Sequence, residues 1–416
     1  MINYTVEKLD NGLTVVNNYD PTTVMAAVTV IYNVGSRDES PQLTGIAHLF
    51  ENLMFGGSAN IPDFDGAIER AGGSNNAWTS NDFTCFYDVA PAVNIETLFW
   101  LESDRMLSPA FSTKNLETQR SVVIEEFKQV CLNKPYGDLM HRLRSLLYKT
   151  HPYRYPTIGA TPDHIRNATA DDVKRFFFSH YAPNNAVLAI SGNVTDEAAF
   201  AMARRWFGDI PRRDIAPRLY APEKPLTSPI VDRMSGNVPN TMVVRAFPMP
   251  GRGEEGYTEC DLITDLLSKG RSSRFFRRLM LETDIFLEAD ASIIGSEEPG
   301  FILVSGRLAD GDDTTVKAAI DAIDRELEAI AAGDFTDHDL ERVKNSFESS
   351  FLFGTYGCVA KSQQLAINVM QGDELNNIVD RYRAVTRDDV IAAARRYLGA
   401  PGNVTLIYEP QNAGDR

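Results

Sequence analysis

The stretch GIAHLFENLMFGGS, residues 45–58, places His48 and Glu51 three residues apart. On an α-helix, residues i, i+3 and i+4 share one face, so His48, Glu51 and Asn52 would project together. A histidine at position 52 would complete H-x-x-E-H. In that pattern two imidazoles and a distant carboxylate hold one zinc ion, and the glutamate is general base to a metal-bound water. Asn52 stands there instead, giving HLFEN. Zinc prefers imidazole, thiolate or carboxylate to an amide. Metal is therefore expected to be weakly bound or absent.

The flanking pattern supplies elements to position these residues. GLTVVNNY and MAAVTVIYNVGS read as strands ending in turns. A helix is expected from Leu43–Thr44 through Phe55, stopped by GGS. NNAWTSNDFTCFYDVA is rich in Thr, Phe, Tyr and Val and reads as extended. Helical periodicity then runs from Val93 to about Tyr148 in two or three segments.

Two motifs recur at nearly one spacing. TADDVKRFFFSHYAPNNAVLAISG begins at Thr169, and TRDDVIAAARRYLGAPGNVTLIYEP begins 217 residues later at Thr386. NVGSRDES and MPGRGEEG lie 216 residues apart. Between the copies, GDIPRRDIAPRLYAPEKPLTSP carries five prolines and reads as an extended linker. The expected organisation is an α+β tandem duplication: an N-terminal domain over 1–210, a linker over 211–229 and a C-terminal domain over 230–416. Shifted by about 214, the His48 helix falls on LITDLLSKGRS, which has no histidine. The chemistry is thus not needed for the fold.

The chain has 416 residues, 43% hydrophobic, with net charge −16. An acidic surface argues against nucleic acid or anionic membrane as partner. No apolar run of about 18 residues is present, so no membrane span is expected. The N-terminus has neither a basic nor an apolar leader segment, and a cytoplasmic location is expected. Cys85, Cys131, Cys260 and Cys358 are far apart and read as buried free thiols.

GIAHLFENLMFGGS, AGGSNNAWTSNDFTCFY, QRSVVIEEFKQ and the duplicated half together resemble the pitrilysin/insulinase family of zinc metallopeptidases, which includes the mitochondrial processing peptidases. The resemblance covers essentially the whole chain. It implies duplicated domains of antiparallel sheets and helices, with four such domains forming a clamshell around a peptide chamber. The four come from two half-length chains or one fused chain, so a homo- or heterodimeric partner is implied.

Carried over residue by residue, the family's base falls on Glu51 and its zinc ligands on His48, Asn52 and Glu126, with Glu125 as the alternative if the register slips by one. A second helical glutamate of the family is replaced by Gln119. The substrate-pairing strand falls on Asn76, Ala77, Trp78 and Thr79. The family's arginine–tyrosine pair, which binds the substrate carbonyl, falls on Met280 and Leu287, so this chain lacks it. The expectation is a peptide-binding subunit, non-catalytic or weakly active because of Asn52. The alternatives are an active zinc endopeptidase that acts as a dimer on unstructured peptides, and a purely structural subunit.

Overall fold

The structure, a computed structural model, describes residues 1–411. Eleven strands are present among them: β1 (Thr5–Lys8), β2 (Thr14–Tyr19), β3 (Met25–Tyr32), β4 (Ser74–Thr79), β5 (Thr84–Pro91), β6 (Ala186–Gly192), β7 (Ile230–Gly236), β8 (Met242–Pro248), β9 (Phe286–Ile294), β10 (Phe301–Leu308) and β11 (Val404–Pro410). The helices that bear on the site and on the repeat are α1 (Ile46–Leu53), α2 (Ile95–Leu107), α3 (Thr113–Phe127), α4 (Leu139–Leu147), α5 (Ala170–His180), α6 (Tyr257–Ser268), α7 (Asp313–Ala331), α8 (Cys358–Met370) and α9 (Arg387–Tyr397).

The chain forms two compact units, and these are not the two sequence halves. The first comprises Met1–Phe127, Tyr155–Tyr220 and Phe351–Ile378; the second comprises Lys128–Arg154, Ala221–Ser350 and Val379–Arg416. The first-half helix α4 therefore packs on β8 and β11 in unit 2, and the second-half helix α8 packs on β3 and β6 in unit 1.

The sheet of unit 1 runs β1-β2-β6-β3-β5-β4, and that of unit 2 runs β7-β11-β8-β10-β9. Without β1, the two orders correspond strand for strand, which is the signature of the duplication. The sheets are mixed rather than purely antiparallel: β2 pairs parallel with β6, and β7 with β11. In each unit the last strand returns after a long helical stretch and inserts beside β2 or β7, and such a crossover allows parallel entry. The repeated helices α5 and α9 each begin with a Thr-x-x-Asp capping box, Thr169–Asp172 and Thr386–Asp389, which satisfies the free amides of the first turn.

The core of unit 1 packs the inward residues of β3 and β5 against α1, α2 and α5. Val28, Val30, Phe86, Leu49, Phe50, Leu98, Phe99 and Phe177 are all fully enclosed in it. In unit 2, Leu143 and Leu147 of α4 join Val244, Phe301 and Leu406. Each such side chain contributes about 1.5–3 kcal/mol by leaving water. The four cysteines are free; three are buried and Cys358 is half-buried. No helix among the described residues is long and apolar enough to cross a membrane.

Candidate functional site

Helix α1 is shorter than the sequence suggests, spanning Ile46–Leu53. Gly45 precedes it with φ 86°, a left-handed conformation that favours glycine and prevents the helix from starting earlier. A Cβ at Gly45 would also collide with Ile165 and the Ile158 carbonyl. Ile46, Ala47, Leu49, Phe50 and Leu53 are buried. The Phe50 ring lies 4.3 Å from Tyr181 and 5.5 Å from Phe177, centroid to centroid. Burial of that face turns His48, Glu51 and Asn52 to the other, where all three are half-buried.

Both ends of α1 are held. At the start, Glu39 accepts hydrogen bonds from the Gly45 amide (2.8 Å) and the Ala47 amide (2.9 Å). Burial pushes its carboxyl up to about 8, with Asp38 adding to the rise and the two amides opposing it. Thr44 Oγ1 lies 2.8 Å from His164 Nδ1 and accepts from the Ala160 amide. At the end, Asn115 of α3 donates to the Leu53 carbonyl (3.3 Å). Beyond it, Asp104 of α2 accepts from Ser58 Oγ and from Asn60 Nδ2 (2.7 Å), fixing the following loop.

Next to Asp104, the fully buried Arg105 lies over the rings of Phe55, Phe64 and Phe86 and pairs with Glu102. Asp88, also fully buried, is held well above the usual carboxylate range by burial and then by Glu102, against Arg105. One positive charge thus faces two acids, and burial favours the neutral form of Asp88.

The candidate chemical groups meet on the exposed side of α1. His48 Nε2 lies 3.6 Å from Glu126 Oε2 of α3, so Glu126 rather than Glu125 faces the imidazole. Glu51 accepts from the Thr79 hydroxyl of β4. Burial raises the Glu51 carboxyl above its ordinary range, Thr79 and His48 oppose the shift, and Glu126 adds to it. Asn52 Nδ2 donates to the His48 carbonyl one turn back (3.1 Å), so the amide is engaged with its own helix.

Two groups could ligate a metal here, His48 and Glu126, and they are close enough to share one ion. No cluster of three or more histidine, cysteine, aspartate or glutamate side chains fit to hold a metal occurs among the described residues. His48 Nδ1 is buried with no hydrogen-bond partner. A metal-bound imidazole ordinarily donates from its second nitrogen to a carboxylate, carbonyl or water. With Asn52 in the place of a second imidazole and its amide bonded to its own helix, the strong donors here number two, fewer than the three that a zinc site takes from protein.

The other expected residues are placed as follows. β4 is the outer strand of its sheet, pairing with β5 from Ser74↔Val89 to Thr79↔Thr84. Asn76 is exposed, and its Oδ1 accepts from the Ala77 amide (2.8 Å). Trp78 Nε1 donates to Gln363 of α8 (2.9 Å). Gln119 lies half-buried on α3. In unit 2, Met280 is half-buried in the Phe275–Leu281 π-helix and Leu287 is exposed on β9. Neither carries a group that could bind a carbonyl oxygen. Glu39, Asp104 and Asn115 are not identified from the sequence as site residues. Glu39 lies within NVGSRDES, which there serves only to mark the repeat.

Residues 14–161 match the profile of the insulinase domain of peptidase family M16, and residues 167–347 that of the peptidase M16 inactive domain. The zinc protease PqqE of Helicobacter pylori is 26% identical, over 97% of this chain and 92% of its own length. The beta subunit of the mitochondrial-processing peptidase of Saccharomyces cerevisiae is 25% identical, over 92% and 86%. Among solved structures, a protease from Helicobacter pylori superposes with TM-score 0.91 at 24% identity, covering 99% of this chain and all of that one. A peptidase M16 inactive domain from Pseudomonas fluorescens gives TM-score 0.87 at 18% identity, over 99% of both. The periplasmic protease PqqL of Escherichia coli matches this chain over 48% of its own length. Two consecutive domain matches, near-complete alignment with zinc proteases, and a duplicated fold carrying HLFEN place the chain in peptidase family M16, the insulinase family, as a half-length member.

Proposed function

We propose that this chain is a peptide-binding, non-catalytic or weakly active peptidase-family subunit that works with a second half-length family member, as a homo- or heterodimer. The observation that carries this reading is Asn52, whose amide is bonded to its own helix where the family pattern has a metal-binding imidazole. His48 and Glu126 are two ligands, and losing even an outer-shell partner of a metal costs about 10–100-fold in affinity. A missing direct ligand costs at least as much. Peptide would be held along the open edge of β4, where main-chain hydrogen bonds give affinity with broad sequence tolerance. Met280 and Leu287 supply no carbonyl-binding group, so a partner chain would have to provide it.

The test is zinc content after metal-free purification, with cleavage of an unstructured peptide measured alongside. The wild-type chain should retain well under one zinc per molecule and show no chelator-sensitive cleavage. The Asn52→His variant should bind zinc more tightly by at least about 10–100-fold. Stoichiometric zinc with chelator-sensitive cleavage in the wild type would instead establish a working zinc endopeptidase.

A further inference from the structure

The duplication provides an internal control, because a feature found in both units serves the fold and one found only beside α1 serves something else. Both units carry the same turn before their first helix. In unit 1, Asp38 Oδ2 accepts from the Gly35 amide (3.0 Å); in unit 2, Glu254 Oε2 accepts from the Gly251 amide (2.8 Å). Both helices then start behind a left-handed glycine, Gly45 or Gly256, which has no side chain with which to cap them.

Here the units part. After the turn, Glu39 folds back and takes the Gly45 and Ala47 amides of α1. The residue in the same place in unit 2, Glu255, is exposed, and among the described residues its carboxylate makes no bond to α6. Gly256 follows Glu255 directly, whereas five residues separate Glu39 from Gly45 and give it the slack to reach back. The turn bearing Glu39 is itself anchored. Arg37 pairs with Asp82 (2.8 Å), Asn81 donates to Ser36 Oγ (2.9 Å), and Arg218 of the proline-rich stretch holds Asp38 (2.7 Å).

We infer that Glu39 is a positioning residue that sets the start of α1, and through it the placement of His48 and Glu51. A helix without a side-chain cap leaves its first amides unsatisfied, and carboxyl oxygens placed there accept from them. α6 has Glu259 in its first turn but no side-chain bond to its starting amides, and it carries no candidate chemistry. The helix contact stands by itself; its consequence for metal rests on the function proposed above.

The experiment compares Glu39→Ala, Glu39→Gln and Glu255→Ala by amide hydrogen exchange. Loss of a cap corresponds to roughly 5–30-fold faster exchange in the first turn. Glu39→Ala should show that change across residues 45–53, and Glu39→Gln, which keeps one acceptor oxygen, should recover part of it. Glu255→Ala should leave residues 257–268 within about twofold, a threshold below the weakest cap effect. Equal, small effects at the two positions would overturn the inference, and Glu39→Gln decides it if the alanine variant fails to fold. In the Asn52→His background, Glu39→Ala should also weaken zinc binding by about 5–30-fold, the same cap effect transmitted to the ligand helix. Absence of zinc binding by Asn52→His itself would count against the proposed function and leave the exchange result standing.

Discussion

The two units present one scaffold with and without candidate chemistry. Their sheets share a strand order, each with one parallel pair, and their closing helices share a capping box. In unit 1, α1 turns His48 and Glu51 toward Glu126 and Thr79. In unit 2, the polar groups of α6 are used internally: Asp261 accepts from Tyr382 (2.6 Å), and Asp265 pairs with Lys269 (2.9 Å). Burial raises both of these carboxyls. What the units share specifies the fold, and what they do not share marks where function was added or lost. Asn52 is then informative, because it lies in the unit that keeps the other groups.

The largest expected difference between the units concerns buried arginines. Arg105 in unit 1 is fully enclosed with Glu102 and Asp88, so Arg105→Ala leaves two acids buried without their cation. Breaking such a pair from one side costs about 3–5 kcal/mol. Arg245 in unit 2 lies against Phe247 and pairs with Asp324, which is 37% exposed and can be solvated when the arginine is gone. Arg245→Ala should cost about 1–2 kcal/mol, nearer to a lost charge-assisted hydrogen bond. Urea unfolding of the two variants checks the ordering. Equal losses would mean that the burial contrast does not govern stability.

A smaller effect should be the same in both units. Thr169→Ala and Thr386→Ala each remove the acceptor at the start of a repeated helix, and each should cost about 1 kcal/mol. Unequal losses in the same unfolding measurement would show that the repeat has diverged energetically even where its geometry is kept.

The repeat was legible because its signature is local, and the structure shows that signature forming a capping box in each copy. Thr-x-Asp-Asp fixes a helix start within four residues, and the two copies align on it. The HLFEN face was legible for the same reason, since helical spacing alone brings His48, Glu51 and Asn52 together. Other features depend on distant packing. Nothing local in residues 128–154 or 351–378 tells that these segments pack with the other half, because an amphipathic helix fits either sheet. The choice between Glu125 and Glu126 was equally open, since one residue is about 100° around a helix, and the orientation of α3 settles which one faces His48. The left-handed Gly45 and the reach of Glu39 need the fold of the whole turn, so the helix boundary and its cap were missed together.

The exchanged helices give the smallest and most specific comparison. α8 is pinned to unit 1 by Lys361 and Asp20 (2.7 Å), and α4 to unit 2 by Arg142 and Asp232 (2.5 Å). Lys361, followed by the Thr22 hydroxyl, lowers the Asp20 carboxyl to about 2, and Arg142 lowers that of Asp232. A carboxylate whose folded value is depressed contributes stability that is complete above its unfolded value. That contribution is lost as pH falls through the folded value. Both pairs are partly solvated, so Lys361→Ala and Arg142→Ala should each cost less than about 1 kcal/mol at pH 7. For Lys361→Ala the difference from wild type should shrink as pH falls from the ordinary 3.8 of Asp20 toward 2 and vanish below that. For Arg142→Ala it should likewise shrink as pH drops below the ordinary 3.8 of Asp232. Unfolding measured at pH 7 and again near the bottom of this window checks both. A loss that persists undiminished in acid would mean that the long side chains hold their helices by packing rather than by charge.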